Sequence, residues 1–579
     1  MKPKKMKMLA IVGAVLFLFG SILSHLIDTN FGNTEVTELN ITNAAGEQLA
    51  FTLYKPDSAT AENQAPAIVL CHGGNGNREA MSPFAVELSR RGYVVLNLDQ
   101  YKNGDSSNST DPNKGIDRLF EYLYTLDFVD VENLGGAGHS AGGAVLTVAA
   151  ANDNPYNIKS IVCNGVAVGG DAVTDSNINI LYILGRWDEN AGPSNWGVPG
   201  PKYATTVPKV LQAFGMAEDD EVVPGQLYGS IEDRSGRMLL TPNCFHAFMR
   251  YSSTAIGMDI DWFADTLQGG DTSIPSSNQI WQFKEFGYWL IMAGIICLVF
   301  VMVQLLLSLK FFKEAIVPEN DMQIAKNKKF WIITIATCLV SMISVQALYA
   351  AGKNVMSKIP GFQLEHTNGT IFWQLVIIFA VIALNFLLKK LQTKYAWEED
   401  LKIIKIGWKR VLKLFLAGLI VMVAAVVLCY ATRFFVGGHV KFVQCEITAL
   451  SPLRWGQFAR YFPLFLILQL IGTYVHVNGL RFIGCNTKHF LILTMLVNAL
   501  SMTLLCLAFY GSTIFMDVSI LHTSRFVIGS CLINMLPFTF VQSGIEVFCF
   551  KKTGSIYLAA FINAVLFTWM AAGSVMLAA

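Results

Sequence analysis

The sequence predicts two fold classes in one chain: an α/β domain whose mostly parallel sheet carries helices on both faces, and an all-α polytopic transmembrane domain. Short apolar runs alternate with helical stretches between residues 30 and 278, and such alternation builds a parallel sheet. Beyond residue 278 the composition changes to long apolar runs, each of a length that spans a bilayer. The 579 residues are 53% hydrophobic and only 15% charged, against about 25% charged in an ordinary soluble protein. A net charge of +1 offers no electrostatic footprint for nucleic acid, and none is expected as a partner.

The first element is a membrane anchor, residues 1–29. MKPKKMK precedes an apolar run from Met8 to about Ile27; the run is long and no A-x-A cleavage site follows, so it reads as an uncleaved anchor rather than a signal peptide. Residues 30–278 form the α/β domain. VTELNIT and EQLAFTLY read as an antiparallel pair at one edge of the sheet. PAIVLC (Pro66–Cys71) is a buried strand, followed by the turn HGGNGN and a helix over about 78–91. GYVVLNLD is the next strand, a helix over about 114–126 leads to the strand NLGGAGHS, and AGGAVLTVAAA continues as a helix of small residues. IKSIVCNG, INILYILG and RMLL complete the strands.

Ser140 lies in GGAGHSAGGA, between a strand and a helix. A G-x-S-x-G motif there reads either as a glycine-rich turn or as a strained elbow that lifts a nucleophilic hydroxyl out at the carboxyl edge of the sheet. Gly138 and Gly142 fit the second reading, because strand and helix backbones pass closely at such an elbow.

On the residues HGG at His72–Gly74, Gly92–Asp99, GHSAG at Gly138–Gly142, GRWDE at Gly185–Glu189, and His246, this part of the chain resembles the α/β-hydrolase superfamily, in its esterase and dienelactone-hydrolase-like branch. The resemblance covers about residues 36–270; the membrane part resembles no recognised family. It implies a catalytic Ser, acid and His in that chain order. The α/β domain holds three histidines: His72 is in the early turn, His139 is inside the elbow, and His246 alone lies downstream. His246 is therefore the expected base. The family pattern places the acid at Asp188, after INILYILG, with Glu189 a solvated neighbour. Asp99 is the runner-up acid, with a structural role for the loop that follows it the preferred reading. Oxyanion donors are expected from the backbone of Ala141 and of Gly74 or Asn75; the alternative is that HGGNGN is a plain tight turn. The segment Trp187–Pro201 reads equally as one wall of an acyl pocket or as a solvent loop. No metal or organic cofactor is expected: the eleven cysteines form no C-x-x-C pair or other ligand spacing.

Residues 279–579 form a membrane domain of about eight helices, with spans near 287–309, 330–350, 370–388, 412–431, 461–479, 489–510, 524–543 and 555–577. With the amino terminus inside, the inner segments carry 21 Lys and Arg residues and the outer loops of the membrane part carry 7. This bias orients the α/β domain outside the cytoplasm, in a protein of the plasma membrane. Polar residues in or near the spans, including Asn385, Gln469, His476, Asn498 and Asn563, read either as functional groups or as interhelical glue. The expected function is a membrane-bound serine hydrolase cleaving an acyl ester by a Ser-His-Asp mechanism, with a small-molecule or lipid-like ester and membrane lipids as its partners. The alternatives are a transporter, a membrane scaffold or sensor carrying a hydrolase-like domain, and a serine peptidase. The acyl and leaving groups and the oligomeric state are not legible.

Overall fold

The computed structural model describes residues 3–151, 153–320, 328–391, 401–437, 440–442, 445–447, 449–481, 485–518, 533–574 and 577. Its α/β part is an eight-stranded sheet: β1 (Thr34–Thr42), β2 (Gln48–Pro56), β3 (Ala65–Cys71), β4 (Val94–Leu98), β5 (Val129–His139), β6 (Ile158–Asn164), β7 (Asn179–Ile183) and β8 (Arg237–Leu240). The spatial order is β1-β2-β4-β3-β5-β6-β7-β8. The edge pair β1–β2 and the β2–β4 contact are antiparallel, and the remaining pairings are parallel. Every strand expected from the sequence is present.

The alternation of side chains along a strand divides the core into two layers. Ala67, Val69 and Cys71 of β3 face one layer, which holds α3 (Ile116–Leu123) and α4 (Ala141–Ala151). Ile68 and Leu70 face the other, which holds α2 (Ser82–Ser89) and α7 (Ser253–Thr266). Cys71, Cys163 and Cys244 are buried free thiols.

The amino-terminal helix α1 (Pro3–Asp28) is more than a tether. It packs antiparallel against α8 (Trp281–Leu306), the helix that leaves the α/β domain. A Cβ on Gly287 would stand 2.8 Å from the Gly20 carbonyl, and one on Gly294 would stand 2.7 Å from that of Gly13. Small residues let the two backbones approach, as membrane helix pairs require. Asp28 and Lys284 close the end of the pair nearest the α/β domain with an ion pair of 2.6 Å.

Among the described residues seven helices are long and apolar enough to cross a membrane: Pro3–Asp28, Trp281–Leu306, Thr334–Met356, Glu365–Leu384, Trp408–Val436, Pro452–Gly479 and Thr487–Met516. Two further helices, Ile533–Thr553 and Tyr557–Ser574, pack among them. The expected span at 524–543 falls partly outside the described residues; the described helix runs ten residues past its expected end. That extension carries Glu546, whose carboxylate is paired inside the bundle with His476 at 2.8 Å, so a charge beyond the expected span sits within the helix. The side chain of Asn385 lies outside the described residues.

Candidate active site

Strand β5 ends at His139 and helix α4 begins at Ala141, leaving Ser140 alone in the turn between them. Ser140 has φ of +53°, a left-handed conformation uncommon outside glycine and a marker of local strain. Two bonds hold the turn: the Ser140 N–H donates to the Asn164 carbonyl at the end of β6 (2.8 Å), and the Ala144 N–H donates to the Ser140 carbonyl (3.1 Å). A Cβ on Gly138 would overlap the Gly143 backbone, as strand-to-helix proximity requires. A Cβ on Gly142 would overlap the carbonyl of His72. Gly142 therefore makes room for the turn after β3.

Asp188 follows β7, His246 lies in the loop after β8, and both are buried. Nδ1 of His246 donates to Oδ2 of Asp188 at 2.9 Å. Burial alone would lower the His246 pKa, but the charge and hydrogen bond of Asp188, with the charge of Glu189, outweigh it and raise it above the ordinary 6.5. The ring of His139, next to Ser140, stands 4.7 Å from the ring of His246. The Cβ position of Gly73 is 3.2 Å from Cβ of Ser140. The fold thus brings the elbow, the His246–Asp188 pair and the β3 turn into one place.

Glu189 departs from expectation. It is not solvated but 2% exposed. Its Oε2 accepts the His246 N–H at 2.7 Å and its Oε1 accepts the Ala247 N–H at 3.0 Å. Burial, and then the charge of Asp188, push its carboxyl above the ordinary glutamate range. Asp188 thus orients the imidazole while Glu189 holds the backbone that carries it. His139 adds a third restraint, since its Nε2 donates to the His246 carbonyl at 3.0 Å. Burial, then the charges of Arg250 and His246, hold the His139 pKa well below the ordinary value, which keeps that ring neutral.

The β3 turn is fixed from below. His72 is held at a pKa of about 4 by burial. Its Nδ1 donates to the Gly73 carbonyl (2.8 Å), and its Nε2 accepts from the Gln100 N–H (3.1 Å). Asn75 is left-handed, at φ +57°, and a Cβ on Gly74 would meet nothing within 4 Å, so the space above this turn is open. Asp99 takes the structural role expected of it. Its carboxylate accepts the N–H groups of Arg78 (2.7 Å) and Asp105 (2.9 Å) and pairs with the Arg78 guanidinium (3.2 Å). Trp187–Pro201 is not a plain solvent loop: Trp196 and Val198 are buried in the domain core, and Trp187 packs on Phe245 at a ring separation of 5.7 Å.

The sequence gives no hint that the apolar bundle reaches both sides of this site. Phe245 and Phe248 flank His246, and their rings lie 4.7 and 6.3 Å from the ring of Tyr510 on helix Thr487–Met516. On the other side, Glu79 follows the β3 turn and is buried. Nζ of Lys441 donates to its carbonyl at 2.8 Å and stands 3.7 Å from its carboxylate. Lys441 also pairs with Glu285 of α8 at 2.8 Å. Arg433 reaches Glu38 (2.7 Å) and Asp105 (2.5 Å). Among the described residues no three His, Cys, Asp or Glu side chains cluster closely enough to hold a metal ion.

A family model described as the alpha/beta hydrolase fold matches residues 66–193. The chain carries an α/β-hydrolase domain. It is similar to an uncharacterized protein, YcjY, of Escherichia coli K12: 30% identical over 134 residues, which cover 20% of this chain and 44% of that relative. The chain thus spans less than half the length of the curated relative it matches. Among solved structures it is similar to a protein described as a dienelactone hydrolase from Klebsiella pneumoniae (18% identity, TM-score 0.30, covering 40% of this chain and 98% of that one). It is also similar to the esterase Pf2001 of Pyrococcus furiosus (14% identity, TM-score 0.30, covering 42% and 96%).

Proposed function

We propose that this protein is a membrane-bound serine hydrolase that cleaves a carboxylic ester. The observation that carries the reading is the His246–Asp188 bond of 2.9 Å, set beside a serine held in a left-handed strand-to-helix turn. A serine hydroxyl is a weak nucleophile until a neighbouring base removes its proton. In this reading Ser140 Oγ attacks the acyl carbonyl as Nε2 of His246 accepts its proton. His246 then gives that proton to the leaving alcohol. Water, deprotonated by the same nitrogen, releases the acyl group and restores the serine. Asp188 fixes the tautomer of His246 and stabilises the imidazolium formed at each step. The developing oxyanion accepts hydrogen bonds from the N–H of Ala141, at the positive end of α4, and from Gly74 or Asn75. One such donor lowers the barrier by about 3 kcal/mol.

The excess of Lys and Arg in the inner segments, 21 against 7, supports a domain facing the outside of the plasma membrane. A lipid-like ester fits a site held against the bundle. The test is fluorophosphonate labelling of the full-length protein. Labelling at Ser140, lost in Ser140→Ala, is expected; an equally labelled Ser140→Ala variant refutes the assignment. Orientation is tested separately, with cysteines placed in 102–110 and an impermeant thiol reagent on intact cells.

A further inference from the structure

A cavity of about 290 Å³ opens among the bundle helices, at the small end of the range for ligand sites. It lies between helices Lys328–Met356, Glu365–Leu391, Pro452–Gly479, Thr487–Met516, Ile533–Thr553 and Tyr557–Ser574. Its lining includes the apolar side chains of Trp373, Phe465, Met502 and Phe567. It also includes Gln374, Gln469, His476, Ser501 and Gln542. Hydrogen-bonding side chains facing a void inside an apolar bundle are costly unless something there meets them.

The geometry around His476 selects the ligand. Its Nδ1 lies 2.8 Å from Oε2 of Glu546. The other carboxylate oxygen accepts from Gln542 Nε2 at 3.0 Å and from Thr473 Oγ1 at 3.5 Å. Gln542 Nε2 also donates to Gln469 Oε1 at 3.1 Å. Glu546 is therefore fully engaged, and it orients the imidazole as a carboxylate orients a metal-binding histidine. Nε2 of His476 has no protein partner among the described residues. A carboxyl group suits that nitrogen in either protonation state: a protonated acid donates to neutral Nε2, and a carboxylate accepts from Nε2–H.

We propose that this cavity binds a medium-chain carboxylic acid, with its carboxyl group on Nε2 of His476 and its chain against Trp373, Phe465, Met502 and Phe567. At roughly 30 Å³ per water-sized group, the space takes about ten such groups, the size of a decanoyl chain. The proposal rests on the cavity alone and stands whether or not Ser140 is a nucleophile.

The test uses the full-length protein in lipid nanodiscs and a decanoic acid photoprobe with a diazirine in its chain. Saturable crosslinks are expected on helices Pro452–Gly479 and Thr487–Met516. Decanoic acid should compete at roughly tenfold lower concentration than decyl methyl ether, the difference expected for one hydrogen bond to a charged group. His476→Phe should erase that preference. Gly472→Leu should cut labelling about fivefold or more by filling the cavity, because a Cβ at Gly472 meets only Ile378 Cδ1, at 3.6 Å, and the larger side chain has room to enter. A melting temperature like that of the parent shows that each variant is folded. Where one variant fails to fold, the other and the competition in the parent protein decide. The proposal is overturned by equal competition from acid and ether, by a preference that survives His476→Phe, or by labelling confined to outward-facing residues such as Leu496 and Leu507.

Discussion

Replacing Glu189 by glutamine removes one charge and leaves shape almost unchanged, which makes it a sharp probe of how His246 is held. The carboxylate accepts two backbone N–H groups, from His246 at 2.7 Å and Ala247 at 3.0 Å. An amide offers one oxygen, so its NH2 must face the second N–H. A hydrogen bond to a charged group contributes about 1.5–3 kcal/mol, and a buried donor left unmet costs about 1–3 kcal/mol. If about 3 kcal/mol of that loss appears as misplacement of the imidazole, kcat/KM falls about a hundredfold, at 1.36 kcal/mol per factor of ten. A second consequence is independent of geometry. Glu189 is one of the charges that raise the His246 pKa, so without it the acid limb of the pH–rate profile moves to lower pH.

The assay is kcat/KM for a soluble nitrophenyl ester between pH 5 and 9, with the melting temperature measured alongside to confirm folding. A variant within twofold of the parent at every pH, with an unmoved limb, would falsify the role given to Glu189. A lower rate with an unmoved limb would keep the backbone role and remove the electrostatic one.

Three further outcomes are expected. Asp188→Asn should lower kcat by about four orders of magnitude, as loss of the correct tautomer does in such triads, and a loss under tenfold would transfer the acid's role elsewhere. In the proposed mechanism the base is neutral His246, whose pKa stands above 6.5; kcat/KM should therefore rise through a pKa above that value, and a rate already at its plateau at pH 6 argues against this base. Lys441→Met strands Glu285, while Glu79 keeps Lys284 at 3.9 Å, and breaking such a buried pair costs about 3–5 kcal/mol; the melting temperature and kcat should both drop, and Lys441→Met with Glu285→Gln should recover much of the loss, whereas additive losses would show that the pair is not coupled.

Much of the hydrolase domain was legible because its signals are local. The β3 and β4 runs are wholly buried and, apart from Asn97, apolar, and Ser140 sits where a strand pattern gives way to a helix pattern. Period and position suffice for such elements. Glu189 was misread for the opposite reason. Its partners are the N–H groups of residues 57 and 58 positions away, and backbone donors leave no trace in the identity of a residue. Beside Asp188, with no apolar periodicity, it looked like any solvated charge. His139 was similarly opaque, since the position before the serine is unspecified in G-x-S-x-G. Glu546 falls past the end of the span expected at 524–543 because hydropathy treats each charge singly, whereas its partner His476 lies on another helix.

The contacts between the two halves of the chain bear on why a hydrolase domain should carry so large a bundle. A tether would need only α1, and nothing would need to touch the active-site segments. Here Lys441 grips Glu79, a few residues beyond the expected oxyanion turn, and Tyr510 supports the loop carrying His246 through Phe245 and Phe248. The chain enters and leaves the domain through the close pair α1–α8, locked by Asp28 and Lys284, so there is little freedom for the domain to swing away. Catalytic groups need to be held to about half an ångström, and surface loops alone seldom achieve that. Two loops are instead backed by a buried lysine on the short strand Val440–Phe442 and by an aromatic ring on helix Thr487–Met516, hundreds of residues away. A shift of those elements would be felt first at Glu79 and at Phe245. The bundle is thus placed to act as part of the scaffold of the candidate active site, and its influence on the proposed ester cleavage would be read in kcat for a small soluble ester, which makes no demand on membrane delivery.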